Sequence, residues 1–114
     1  MSKVANLTLE SFEHRVVRAT CPVLVAFLTA TCPVCQMVSP LLEELARRFG
    51  DAASIACVDV QVTPELARQY GVQSVPTALL FDAGTITHQF IGPLPKSEFL
   101  HALERALLNH RGQE

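Results

Sequence analysis

The sequence predicts an α/β fold, a central mixed β-sheet of about five strands flanked by about four helices. Three observations carry that prediction. Val23-Leu24-Val25-Ala26-Phe27-Leu28 is an unbroken apolar run, the pattern of a strand buried on both faces. It is followed by Val34, Met37, Val38, Leu41, Leu42, Leu45 and Phe49 at three- and four-residue steps, one face of an amphipathic helix. In the C-terminal half, Asp82-Ala83-Gly84 separates a short apolar run from an alternating one as a hairpin turn. Strand–helix–strand units give parallel neighbours and hairpins antiparallel ones, so the sheet is mixed and covered on both faces.

Lys3 to Leu7 reads as a short first strand. Thr8 then caps a helix to about Arg18, with Phe12, Val16 and Val17 inward. The buried strand and the long helix follow. Pro33 suits the first helical turn, Pro40 is expected to kink the helix by crowding the carbonyl of Gln36, and Gly50 stops it. Ser54 to Val60 is a second buried strand, and Thr63-Pro64-Glu65 opens a short helix to about Tyr70. Thr77–Phe81 is a third buried strand and Ile86–Phe90 alternates as an edge strand. The last helix, about Pro95 to Leu108, sets Phe99, Leu100, Leu103 and Leu107 on one face. At 114 residues the chain is expected to be one domain, 1–114.

The composition narrows the function. The chain is 49% hydrophobic and only 18% charged, which excludes disorder. A net charge of −2 with no basic run gives no footprint for nucleic acid or for an anionic membrane. The longest apolar stretch, Pro22–Leu28, is too short to span a bilayer. The N-terminus shows no apolar h-region, so the expected location is cytoplasmic, where four cysteines serve as thiols rather than staples.

Cys32-Pro33-Val34-Cys35 sits on the strand-to-helix turn, the layout of a dithiol redox site. Pro33 at the first helical position puts Cys32 at the N-cap, facing the free N–H groups of Val34 and Cys35. A thiolate there gains hydrogen bonds and the positive end of the helix dipole. Such surroundings lower a cysteine pKa from about 8.5 to roughly 3.5–7.5. Cys35 points back toward the protein and is the more shielded thiol. The expected division is Cys32 as nucleophile and Cys35 as resolver. A zinc half-site is the competing reading, but zinc needs about four ligands and no second pair follows; neither a metal nor a dissociable cofactor is expected. His14, His88, His101 and His110 read as surface residues, Glu43, Glu44, Arg47 and Arg48 as the solvated face of the long helix, and Met37 and Phe49 as core. Asp59 ends its strand, where it reads as a solvent-facing charge ahead of a place near the dithiol.

The chain resembles the thioredoxin family over nearly its whole length. The residues that carry the resemblance are Val23-Leu24-Val25-x-Phe27 before the dithiol and Pro40-Leu41-Leu42-Glu43-Glu44-Leu45-Ala46 after it. Further on stand Val58-Asp59-Val60, Pro64-Glu65-Leu66-Ala67, Tyr70-Gly71-Val72-x-Ser74-Val75-Pro76-Thr77, Phe81-x-x-Gly84 and Gly92. The resemblance implies the thioredoxin fold and a thiol–disulfide oxidoreductase acting as a protein-disulfide reductase through Cys32 and Cys35. It implies a cis Pro76, and a substrate surface of Pro33, Val34, Val75, Pro76 and Gly92. It implies a monomer that meets disulfide-containing proteins and is recharged by a reductase or a small thiol.

Departures from the family pattern bear on function. Thioredoxins usually read Trp-Cys-Gly-Pro-Cys-Lys where this chain has Thr31-Cys32-Pro33-Val34-Cys35-Gln36. A Pro directly after the first Cys is closer to glutaredoxins and oxidising disulfide donors. Ala26 stands where the family buries an Asp beneath the dithiol, and Cys57 where it places the Lys partner. Leu28 and Thr31 replace the flanking indoles. Two alternatives to a reductase therefore stay open: a more oxidising oxidase or isomerase, and a redox-responsive binding or assembly module. Cys57 reads as a small buried hydrophobe rather than a third redox thiol. If Ala26 lies level with Cys57, as the family's pair does, Cys21 is roughly 16 Å away at 3.3 Å per residue, beyond disulfide reach.

Overall fold

The computed structural model describes residues 3–93 and 95–112. Its elements, in order, are β1 (Ala5–Asn6), α1 (Leu9–Phe12), β2 (Val23–Leu28), α2 (Pro33–Phe49), β3 (Ser54–Asp59), α3 (Pro64–Gln69), β4 (Thr77–Asp82), β5 (Thr85–Ile91) and α4 (Lys96–Gly112). The strands form one sheet in the order β1-β3-β2-β4-β5. β1 and β2 run parallel to β3, while β4 runs antiparallel to both β2 and β5. This is the mixed sheet the sequence predicts, with four helices around it among the described residues.

Alternation along β2 divides the core in two. Leu24 and Ala26 face one side, where they meet Val38, Leu42 and Leu45 of α2 and Phe99 and Leu103 of α4. Val23, Val25 and Phe27 face the other, with Phe12 of α1, Leu66 of α3, and Leu79 and Phe81 of β4. On that second side Phe12, Tyr70 and Phe81 form an aromatic triad with ring centroids 5.2–5.8 Å apart. Aromatic contacts of this kind add about 0.5–1.5 kcal/mol beyond area burial.

Local expectations fare unevenly. Thr8 caps α1 as foreseen, in a reciprocal capping box with Ser11, but the helix continues as a π-helical turn over Glu13–Val17. Val17 is 38% exposed rather than inward, because it lies one step past Val16 and leans on the hairpin turn at Gly84. β1 is shorter than expected. α2 runs on to Phe49 across Pro40. Thr63 occupies the N-cap of α3 without a side-chain cap; its N–H donates instead to the Asp59 carbonyl at 2.8 Å. β5 is an edge strand but does not alternate, with only Phe90 buried. A bulge shifts its register between Leu80 and Phe81 and breaks the period of two. Glu44 is not merely solvated, since it accepts from Lys96 of α4 at 2.9 Å. His14, His88 and His101 are exposed as expected; the His110 side chain lies outside the described part.

Candidate active site

The sheet order brings four chain segments to one end of the molecule. β2 ends at Leu28, level with Asp59 at the end of parallel β3. Antiparallel β4 begins there, with Thr77 opposite Phe27, and β5 finishes there, with Ile91 opposite Thr77. The segments 29–37, 60–63, 73–77 and 91–93 therefore share a rim. Two hydrogen bonds tie the rim loops in pairs. The Gly92 N–H donates to the Pro76 carbonyl at 2.8 Å, and the Gln61 amide donates to the Thr31 hydroxyl at 3.5 Å.

At this rim Cys32 is the N-cap of α2 with extended backbone (φ −90°, ψ 115°), and its Sγ accepts the Cys35 N–H at 3.2 Å. Its pKa is lowered, first by the hydrogen bond from the Cys35 thiol, then by the N–H groups of Cys35 and Val34, against a smaller opposing effect of burial. Cys35 is 2% exposed. Burial first, then the Cys32 sulfur beside it, push its pKa up. One thiol is thus poised to ionise and its neighbour to stay protonated and donate to it. All four cysteines are free thiols.

The residues expected to meet substrate are at the same end. Pro33 is exposed and Val34 37% exposed. Val75 is half-buried, Pro76 buried, and the bond between them cis. The Thr77 hydroxyl donates to the Ser74 carbonyl at 2.7 Å, holding this loop against β4. Gly92 has φ +86°, which favours glycine.

Beneath the dithiol, Ala26 is 2% exposed and pairs with Cys57 across β2 and β3. Cys57 is not the fully buried hydrophobe expected. Its thiol donates to the Asn6 side-chain carbonyl at 2.9 Å, and it lines a cavity of about 260 Å³ with Asn6, Leu28, Ser39, Leu42 and Glu43. Burial, then the nearby Glu43 and Asp59, raise its pKa, so it stays a thiol. Position 26 itself carries no carboxyl, and Glu43 of α2 lines the cavity beside Cys57.

Three expectations change here. Met37 is 74% exposed, not core. Asp59 is not simply a solvent-facing charge, because its carboxylate accepts the N–H groups of Gln61 and Val62 at 2.9 and 3.3 Å. Phe49 is half-buried against the core rather than within it. Sequence reasoning also passed over Gln61, Val62 and Ile91, which only the strand register brings to the rim.

A lowered cysteine at a helix N-cap, a shielded partner one turn on and a cis-proline loop at the same sheet end define a dithiol redox protein. Comparison with known proteins gives the particular family. The thioredoxin family model matches residues 3–105. The chain is 33% identical to thioredoxin 1 of Synechococcus elongatus, over 94% of this chain and all of that one. It is 38% identical to a thioredoxin of Mycolicibacterium smegmatis, over 93% and 96% of the two chains, and 35% identical to one of Acidithiobacillus ferridurans, over 86% and 91%. The chain belongs to the thioredoxin family and is a thiol–disulfide oxidoreductase acting on disulfide-containing proteins.

Proposed function

We propose that residues 1–114 act as a single-domain, monomeric protein-disulfide reductase in which Cys32 is the nucleophile and Cys35 the resolving thiol. The observation that supports this most is the opposed perturbation of the two thiols at the N-terminus of α2. The Cys32 thiolate attacks one sulfur of a substrate disulfide, forming a mixed disulfide and releasing the other sulfur as a thiolate. Cys35 then loses its proton and attacks the Cys32 sulfur. The Cys32–Cys35 disulfide forms, the second substrate sulfur leaves, and two electrons have passed to the substrate. Pro33, Val34, Val75, Pro76 and Gly92 carry the substrate segment. A reductase or small thiol restores the dithiol, and no metal or dissociable cofactor takes part. A reducing compartment such as the cytoplasm keeps such thiols charged, and we place the protein and its role in electron transfer and redox homeostasis there on that chemical ground.

The reduction potential of the Cys32–Cys35 couple, measured in a glutathione or dithiothreitol series, tests the direction of the reaction. A value at or below about −250 mV, near the roughly −270 mV of thioredoxin, supports the reductase. One above about −200 mV refutes it and favours a disulfide donor. The Cys35→Ser variant tests the roles: it is expected to accumulate a mixed disulfide through Cys32, and accumulation through any other thiol overturns the assignment.

A further inference from the structure

The turn that delivers Cys32 is held by polar groups from other segments. Between the end of β2 and the N-cap of α2 stand only Thr29, Ala30 and Thr31. Their side chains are small, Ala30 and Thr31 are exposed, and a chain without Trp has no indole to anchor them by packing. Each residue is met by a hydrogen-bonding group instead. The Thr29 N–H faces the Cys35 sulfur. The Ala30 carbonyl accepts from the Gln36 side-chain amide at 3.2 Å. The Thr31 hydroxyl accepts from the Gln61 amide at the longer distance of 3.5 Å. Gln36 also donates its backbone N–H to the Cys32 carbonyl at 3.2 Å. One residue of the first helical turn thus grips the carbonyls on both sides of Thr31.

That grip matters because of how Cys32 is made acidic. Its pKa is lowered by hydrogen bonds, from the Cys35 thiol and from the N–H groups of Cys35 and Val34, and by no neighbouring cation. A charge acts over a Debye length of roughly 10 Å at 0.1 M salt and tolerates small displacements. A hydrogen bond weakens steeply once its distance or angle is lost. The position of the Cys32 sulfur is therefore what keeps it a thiolate. On the helix side the Pro33 ring fixes the chain direction. On the strand side the shorter of the two side-chain bonds to the turn is that of Gln36.

We propose that the Gln36 side-chain amide is a positioning residue for the nucleophile. By holding the Ala30 carbonyl it fixes the extended backbone of Cys32 (φ −90°, ψ 115°) that aims the sulfur at the Cys35 N–H. The inference rests on the dithiol role proposed above and adds a residue that sets its first step. Gln36 stands where the family usually has Lys and brings no charge, so it serves the thiolate through geometry. It acts through the turn and takes no part in making or breaking bonds.

The test is the pH dependence of Cys32 alkylation by iodoacetamide in the reduced full chain, mapped by mass spectrometry, with denaturant unfolding of each variant alongside. Gln36→Leu removes the donor and keeps a neutral, helix-forming side chain; the lost bond is an exposed one, so the variant is expected to fold. Its Cys32 midpoint is expected to rise by about half a pH unit, which makes the thiolate about threefold scarcer well below the midpoint. Mixed-disulfide formation with a cyclic disulfide peptide is expected to slow only about twofold there, because a thiolate of higher pKa is the better nucleophile. Gln36→Lys keeps a donor but adds a charge. At about 1 M NaCl the Debye length is roughly 3 Å and that charge is screened. Its midpoint is then expected within about 0.2 pH units of wild type in the same salt, while that of Gln36→Leu stays raised. A Gln36→Leu midpoint within about 0.2 pH units of wild type overturns the positioning role, whatever its unfolding curve shows. A Gln36→Lys midpoint at high salt that matches Gln36→Leu overturns it as well. Both outcomes leave the dithiol role intact. Failure of the wild type to form a mixed disulfide through Cys32 overturns the dithiol role and the positioning with it.

Discussion

Restoring the family's buried ion pair in two steps tests the account of what lies beneath the dithiol. Ala26→Asp alone places a carboxyl at a position 2% exposed, opposite Cys57 on one neighbouring strand and Ala78 on the other. Neither can neutralise it. An unpaired buried charge of this kind costs about 3–5 kcal/mol. Taking about 3 kcal/mol, the linkage relation at 1.36 kcal/mol per pH unit raises the Asp pKa by about two, from about 3.9 to about 6. The sign follows from a raised acid. Below about pH 4 both folded and unfolded states hold the proton and the ionisation-linked loss vanishes. Between about pH 4 and 6 the unfolded state ionises first, so stability falls, and above about pH 6 the loss levels off near 3 kcal/mol.

Adding Cys57→Lys supplies the partner in register, its stem entering the cavity of about 260 Å³ that Cys57 now lines. Denaturant unfolding of wild type, both single variants and the double variant gives a cycle. The coupling is expected to be favourable by about 1–3 kcal/mol. Quenched-flow measurement of mixed-disulfide resolution reads the chemistry: the double variant is expected to resolve faster than wild type and to gain a titration that wild type lacks. An additive cycle together with an unchanged resolution rate would refute the claim that Ala26 and Cys57 occupy the place of the ion pair and that its loss slows release.

Three further outcomes follow from named contacts. Alkylation of the reduced protein by iodoacetamide, mapped by mass spectrometry, is expected to show Cys32 reaching half its maximal rate below the ordinary 9.0 and Cys35 above it; Cys32's thiolate contributes stability present above the unfolded value and lost as pH falls through the lowered one, whereas raised Cys35 and Cys57 make stability fall as pH climbs past 9.0. Thr77→Val removes the 2.7 Å bond to the Ser74 carbonyl from a residue 2% exposed, for a loss of about 1 kcal/mol in unfolding and a raised KM, since that bond holds the Pro76 loop. Gly84→Ala meets φ +79° and sets a Cβ 2.9 Å from the Val17 carbonyl oxygen; the left-handed backbone alone costs about 1–2 kcal/mol, so a Tm drop of at least about 5 °C is expected by calorimetry.

How far the sequence could be read depended on which residues one element decides and which need two. β2, α2 and the Cys32 cap were legible because a continuous apolar run, a 3.6 period and a Pro at the first helical position are local facts. Met37 was misplaced for want of geometry the sequence already held. At roughly 100° per residue it points away from the face shared by Cys35, Leu42 and Ala46, and its exposure follows. β5 was misread because a bulge depends on its pairing with Leu80 and Phe81, not on its own residues. The cross-strand pairing of Ala26 with Cys57 was reached through family resemblance and holds in the register. The hydrogen bond from Cys57 to Asn6 joins residues fifty-one apart, and no local pattern marks it. The rim is a third kind of feature, because only the strand order makes its four segments one surface.

On the proposed roles, the replacement of the family's buried ion pair by Ala26 and Cys57 acts on one intermediate. In the free dithiol the Cys35 proton is shared with the Cys32 thiolate, the contact that lowers one pKa and raises the other. Once Cys32 is bonded to substrate that acceptor is gone. Cys35 is buried, with Ala26 where a carboxylate would serve, and on the proposed roles its proton passes to water or to the departing thiolate. Resolution then becomes the slow step and the mixed disulfide the long-lived species. The same feature that lowers turnover therefore lengthens capture. The ratio of resolution rate to capture rate separates a reductase that releases its substrate from a module that keeps it.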